Sequence, residues 1–214
     1  MFNRFLKHQR GITGLETAII LIAFVVVAAV FAYTVLSAGL FSTQKGQEAV
    51  YSGLKEAQST LELKGSVIAT ANTTGPAGTI QQISFVVSNV LGGEAIDFTA
   101  PTVASDNTGQ AASGSSNKVV INYIDQDQNI KNLFWTVVKM GADDGDNLLE
   151  VNEKFQIIVG SDIPADSGGN LVDALTTDLT VNKTFDLEVV APAGAVLVVE
   201  RTTPAYIDWV MNLH

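Results

Sequence analysis

The stretch KHQRGITGLETAIILIAFVVVAAVFAYTVL, Lys7–Leu36, decides the fold. A short basic segment meets Gly11, and a long apolar run follows in which Glu16 is the one charge. From Thr17 to Gln44 no residue is charged. As a helix that run would measure roughly 42 Å at about 1.5 Å per residue, longer than the roughly 30 Å hydrocarbon core of a bilayer. Ala, Leu, Ile and Val without proline predict a helix, and its apolar character all round suits a membrane span or the core of a bundle. A carboxylate at the head of such a run needs an explanation.

Outward from this run, the pattern beyond Lys45 turns amphipathic. Val50, Leu54, Ala57 and Leu61 fall at i, i+4, i+7 and i+11, with Lys55, Glu56, Gln58 and Glu62 between them. Gly39, Gly46 and Gly53 recur every seven residues on one face, where they would let another backbone approach closely. The plainer alternative is three tolerated breaks, each costing about 1 kcal/mol against alanine. Gly65 is a reasonable stop. The reading is one helix over residues 12–64, roughly 80 Å long. No globule of this size needs such a rod, so it implies partners along its length.

In the other direction, residues 1–11 carry Arg4, Lys7 and Arg10 and no acid. A secretory signal has a basic start too, but its apolar region is only about 7–15 residues long. The weak small-x-small site Val30-Phe31-Ala32 would bisect the helix. A cut between Gly11 and Ile12 instead removes residues 1–11 as a signal peptide and leaves the apolar helix as the mature N-terminus. Glu16 then has two possible roles. Thr13 and Glu16 form T-x-x-E, a capping box at a helix start, where the dipole also favours an acid. Alternatively, a buried carboxylate needs a cation, and cleavage creates one: the new α-amino group of Ile12, which Glu16 of another subunit could meet.

The remainder is β-rich and broken by turn residues. Strands are expected at Val67–Ala71, Thr79–Val90, Lys118–Ile124, Asn132–Lys139, Phe155–Val159, Thr184–Val190 and Ala195–Arg201. Ala191–Ala195 reads as a hairpin turn, and Ser105–Asn117 as an exposed loop. The fold class is therefore α+β: a long N-terminal apolar helix followed, over residues 65–214, by an immunoglobulin-like β-sandwich.

Charge and composition exclude much. Net charge is −10, and removing residues 1–11 leaves 9 cations against 22 acids, or −13. Phosphate would be repelled, so nucleic acid is not a partner. There is no cysteine. The two histidines, His8 and His214, lie in the leader and at the last residue. Thiol, zinc-thiolate and histidine chemistry lose their residues, and an enzyme is not expected. Asp143, Asp144, Asp146, Glu150 and Glu153 crowd eleven positions. Asp143, Asp144, Asp146 and Glu153 are candidate ligands for a structural hard cation such as Ca²⁺, although the spacing is not that of an EF-hand; the alternative is an acidic turn. Asn72-Thr73-Thr74 and Asn182-Lys183-Thr184 match the N-glycosylation acceptor pattern. Trp135 and Trp209 are read as core or contact aromatics.

Basic leader, glycine, then an apolar helix with glutamate at the fifth mature position together resemble a class III, prepilin-type signal. RGITGLETAIILIAFVVVAAVFAYTVLSAGL, Arg10–Leu40, is similar to the N-terminus of archaellins, the archaeal flagellins of the type IV pilin-like superfamily. Phe185–Pro204 is similar to their C-terminal part. The resemblance implies cleavage after Gly11 by a dedicated prepilin peptidase. It further implies a precursor in the cytoplasmic membrane, with Arg4, Lys7 and Arg10 holding the leader inside. Subunits would then form an extracellular helical filament, the archaellum, with related subunits or copies of themselves. Its apolar helices would form the core, its sandwiches would face outward, and a motor in the envelope would turn it for swimming. Archaellins are often N-glycosylated and some hold a metal near an acidic loop, which adds weight to Asn72, Asn182 and Ca²⁺. A related adhesion pilus subunit would share the leader and helix. A monomeric membrane-anchored binding ectodomain would instead keep its leader and form no polymer.

Overall fold

The computed structural model describes residues 6–58, 60–90, 94–106, 108–141, 143–160 and 169–213. Arg4, His214 and the side-chain surroundings of Lys7, His8, Arg10, Ile12, Thr13 and Ala57 lie outside the described residues. The chain divides into two compact units, Met1–Ser52 and Gly53–His214.

Helix α1 spans Leu6–Gln58, 53 residues. It is as long as the sequence predicts but shifted toward the N-terminus, and it ends at Gln58 rather than near residue 64. The difference lies in LELK, Leu61–Lys64, whose apolar residues also fit a period of two. Leu61 continues the helical spacing, yet it opens strand β1 (Leu61–Thr73) and is buried there. Gly65 does not stop the helix. It sits inside β1 with φ +79°, where the pairing with β2 shifts register between Lys64 and Ile68. A left-handed residue at a bulge suits glycine, which has no Cβ to clash. The sandwich therefore begins at Leu61.

Beyond β1 follow β2 (Thr79–Asn89), β3 (Ile96–Asp97), β4 (Val120–Asp125), β5 (Asn129–Ile130), β6 (Trp135–Met140), β7 (Leu148–Leu149), β8 (Lys154–Val159), the single-turn α2 (Leu171–Ala174), β9 (Thr184–Val190), β10 (Leu197–Thr202) and β11 (Val210–Leu213). One sheet has the order β11-β1-β2-β8-β6, a second β10-β9-β4-β5, and β3 pairs with β7. Every pairing is antiparallel. This is the expected β-sandwich. All seven predicted strands are present, Thr184–Val190 with the same ends and the others with shifted ones, joined by the very short β3, β5 and β7 and by β11. Asn132 has φ +54°, so β6 starts three residues later than its sequence suggests.

The core follows from alternation. Val67, Ala69 and Ala71 of β1, Phe85 and Val87 of β2, and Phe155, Ile157 and Val159 of β8 point inward from the first sheet. Ile121 and Tyr123 of β4 and Phe185, Leu187 and Val189 of β9 meet them from the second. A strand exposes alternate residues to opposite faces, so period two alone sorts these side chains. Trp135 is fully buried, edge-on to Phe98 at 6.0 Å, and Phe98 meets Phe155 at 5.9 Å. Tyr123 stacks on Phe185 at 5.7 Å. Such aromatic pairs add about 0.5–1.5 kcal/mol each beyond the area they bury.

The Ser105–Asn117 segment departs from an exposed loop at its centre. Ala111 is buried, and the Phe134 N–H donates to the Gly109 carbonyl at 2.9 Å. At Gly109, φ +67°, a Cβ would stand 2.3 Å from the Asn170 carbonyl oxygen. The loop is therefore fastened to the sandwich where sequence shows only small polar residues.

Candidate functional site

The apolar helix is the first candidate. Gly14–Lys55 is long and apolar enough to cross a membrane, and none of its most apolar window is buried within the subunit. Ile19, Ile20, Phe24, Phe31, Tyr33 and Phe41 all stand exposed. Burying one such side chain fully is worth about 1.5–3 kcal/mol relative to water. A free, hydrated helix of this kind is therefore untenable, and lipid or other protein must cover it.

The helix also conceals its hydroxyls. Thr17 Oγ1 donates to the Gly14 carbonyl at 3.0 Å, Thr34 Oγ1 to Phe31 at 2.8 Å and Thr43 Oγ1 to Gly39 at 2.9 Å. These local bonds satisfy polar groups that neither lipid nor an apolar bundle could serve.

Glu16 lies exposed on α1. Because α1 begins at Leu6, Thr13 and Glu16 sit inside the helix, not at its start, while the leader is attached. The capping role can arise only in a chain that starts near Ile12. Gly11 and Ile12 lie within the same helix.

Gly39, Gly46 and Gly53 are helical, and a Cβ at any of them would meet nothing within 4 Å. Nothing among the described residues requires glycine there. At Gly46 the missing side chain leaves a shallow notch lined by Thr43, Gln47, Val50 and Tyr51.

The acidic loop does not gather its carboxylates. Asp143 Oδ1 accepts from the Gly145 N–H at 2.9 Å, Asp144 Oδ1 from Asp146 at 3.2 Å and Asp146 Oδ1 from Leu148 at 2.7 Å. Each side chain closes its own turn two residues on. Glu153 is buried apart from them and accepts from the Glu150 N–H at 2.9 Å. It lines a polar hollow with Glu62, Lys64, Ser88, Asn89 and Lys154. Among the described residues no group of three carboxylates is placed to hold a metal ion.

Both acceptor asparagines for glycans are exposed. Asn72 lies in β1, and its amide reaches Thr79 Oγ1 at 3.4 Å. Asn182 occupies a left-handed turn, φ +52°, before β9. Its neighbour Lys183 donates to Asp127 at 2.7 Å, and that hydrogen bond and charge hold the ammonium above its ordinary value. Thr184 Oγ1 lies 2.9 Å from Thr202 Oγ1.

The same end of the sandwich carries a polar clamp that sequence reading missed. Gln128 Nε2 donates to Asp125 Oδ2 at 3.1 Å and to the Thr177 carbonyl at 2.7 Å; its Oε1 accepts from the Thr176 N–H at 2.8 Å. Burial opposes ionisation of Asp125. Hydrogen bonds from Gln128 Nε2, the Asp127 N–H, Tyr123 and the Gln128 N–H outweigh it and hold the carboxyl below its usual value. Burial, and then the bond to Asp125, push the Tyr123 hydroxyl upward.

Fold and site together define a subunit made to be covered along its helix by other molecules. The chain belongs to the archaeal-type flagellin family, whose pattern it matches over residues 11–201. Members of that family are structural filament subunits, not enzymes. The chain is similar to probable flagellin 1 of Archaeoglobus fulgidus, with 38% identity over 222 residues, covering 100% of this chain and 99% of that one. Probable flagellin 1 of Aeropyrum pernix shares 35% identity, covering 94% of this chain and 95% of its own length. Among solved structures, the archaeal flagellum of Methanospirillum hungatei strain JF1 superposes with a TM-score of 0.59 and 27% identity, covering 94% of this chain and 98% of that one.

Proposed function

We propose that this chain is made as a membrane precursor, cut between Gly11 and Ile12 by a prepilin peptidase, and polymerised with its own copies or related subunits into an extracellular swimming filament. The observation that carries the reading is the 42-residue apolar span Gly14–Lys55, whose most apolar window has nothing buried within the subunit. Lipid covers it before assembly and sister helices cover it afterwards. That exchange yields little hydrophobic free energy, because lipid tails are as apolar as leucine; packing and polar pairing must drive it. Gly39, Gly46 and Gly53 serve close packing, and Glu16 pairs with the Ile12 amine of a neighbour. The sandwich stays outside, and an envelope motor transmits torque through the rod.

Two additions rest on sequence patterns. Glycans are placed on Asn72 and Asn182, supported by the exposure of both. A calcium ion at Asp143, Asp144, Asp146 and Glu153 rests on the run of carboxylates alone.

N-terminal sequencing of subunits from shed filaments tests the processing step. The mature chain should begin ITGLE. A start at Met1, or inside the apolar run, contradicts it.

A further inference from the structure

The two acceptor triplets for glycans, Asn72-Thr73-Thr74 and Asn182-Lys183-Thr184, sit in unlike surroundings. The pattern demands a hydroxyl two residues beyond the asparagine. A transferase must therefore hold the asparagine amide and that hydroxyl together, and the three residues have to be free to take the shape it imposes.

The first triplet meets that demand. β1 pairs with β2 through Ala71↔Ile80 and Thr73↔Thr79, so two steps along β1 match one along β2. Asn72 is the extra residue, a bulge left out of the ladder with β2. Its side chain is exposed, and the hydrogen bond of its amide to Thr79 Oγ1 is long, at 3.4 Å. Thr74 lies beyond the end of β1, is exposed, and makes no side-chain hydrogen bond among the described residues.

The second triplet is fastened along its length. Asn182 turns left-handed, φ +52°, and its N–H donates to the Pro204 carbonyl at 3.2 Å. The Lys183 N–H donates to Thr203 Oγ1 at 2.8 Å, and the Lys183 carbonyl accepts from the Thr203 N–H at 2.9 Å. Thr203 is itself buried, and its hydroxyl donates onward to the Thr180 carbonyl at 2.7 Å. Asp127 holds the Lys183 ammonium at 2.7 Å. Thr184 stands opposite Thr202 in the β9–β10 ladder, and the hydroxyl a transferase needs lies 2.9 Å from Thr202 Oγ1. Exposure of the Asn182 side chain alone does not open this triplet, because reshaping it means parting it from residues 202–204. A segment bound in this way reacts only in proportion to its open fraction.

We infer that Asn72 can be modified in the folded sandwich, whereas Asn182 is modified only before residues 180–204 have closed on themselves. This rests on the placement of glycans at both asparagines and adds an order of events to it. In each transfer the asparagine Nδ2 bonds to the anomeric carbon of a sugar carried on a phosphate. The bond from that carbon to the phosphate oxygen breaks, the phosphate keeps the electron pair, and the amide gives up one proton. Occupancy at Asn182 then records how transfer competes with folding, and occupancy at Asn72 does not.

Full-length chain made in bacteria that add no N-linked sugar, and purified in a non-ionic detergent, tests this. It is incubated with membranes of the cells that natively make it, which supply transferase and glycosyl phosphate. One sample is folded; the other is unfolded in urea and diluted into the membranes at the start. Mass spectrometry of peptides follows each site. Asn72 should react at similar rates in both samples, and Asn182 about tenfold or more faster from the unfolded one. Thr203→Val keeps both triplets and removes the hydroxyl that clamps Lys183; it should raise the rate at Asn182 in the folded sample and leave Asn72 unchanged. Equal rates at the two sites in the folded sample, or an Asn72 that also needs unfolding, would overturn the order of events and leave the glycan reading standing. Asn182 silent in the unfolded sample while Asn72 reacts would overturn it as well. No sugar at either site in either sample would remove both.

Discussion

The helix and the sandwich obey the same rule with opposite outcomes. Each must cover apolar surface. The sandwich does so alone, and Trp135, Phe155, Leu187 and Ile121 are buried within one chain. The helix does not, and from Leu15 to Tyr51 its large apolar side chains remain open. Stability of the sandwich is therefore a property of the subunit, whereas stability of the rod is a property of the assembly. Mutations should divide along that line.

Blocking the step that releases the helix should have the largest effect. Gly11→Val is expected to leave unprocessed precursor in the membrane and abolish filaments; electrophoretic mobility and microscopy check it. Processing at the wild-type rate would break the account of the leader. Next comes Glu16→Ala, which should insert and be cut normally, yet assemble poorly. Leaving a buried charge without its partner costs about 3–5 kcal/mol, so loss of the pair should cut assembly on the order of a hundredfold or more. Glu16→Gln keeps the capping geometry and loses the charge. Normal filament yield from both variants would show that the carboxylate has no intermolecular role.

The third effect lies wholly inside the subunit. Trp135→Ala should destabilise a fragment of residues 60–214 by about 3–5 kcal/mol, the usual range for a large aromatic truncated in a core. The fragment must start before Leu61, because a start at Ser66 would remove the first part of β1. Trp135→Phe should cost clearly less, since the indole Nε1 has no hydrogen-bond partner to lose. Equal losses would refute that reading.

Smaller effects separate packing from local propensity. Gly46→Ala should raise helicity of the isolated helix by up to about 1 kcal/mol, yet weaken the filament if the notch receives a neighbour. Stabilisation in both settings would reduce the glycines to tolerated breaks. On the sandwich, the depressed Asp125 carboxyl stabilises the fold above the ordinary carboxylate value. That contribution is lost as pH falls through the lower folded value. Asp125→Asn should therefore flatten the loss of thermal stability below about pH 4. Calcium should raise the melting temperature of the same fragment beyond matched Na⁺ if Asp143, Asp144, Asp146 and Glu153 bind it. Equal shifts would leave four carboxylates closing their own turns.

What was legible in sequence follows the same division. The helix announces itself because uncharged composition over 28 residues has one physical outcome. The long strands do so through alternation. The junction was misread because Leu61 satisfies both periods, and a β-bulge around Gly65 looks from sequence like a helix stop. The two-residue strands β3, β5 and β7 are too short to carry a pattern. The clamp at Gln128 joins residues 49 positions apart in sequence, a distance no local motif spans. The carboxylate cluster illustrates the converse: proximity in sequence did not become convergence in space, because each aspartate found a nearer donor in its own backbone.

Electron cryo-microscopy of filaments shed by cells that make the wild-type chain tests the central claim most directly. The account predicts helices from neighbouring copies packed side by side at the filament axis, beginning at Ile12, with Glu16 buried and the sandwiches outside. Helices still attached to lipid, or sandwiches packed at the axis with the helices outward, would contradict it.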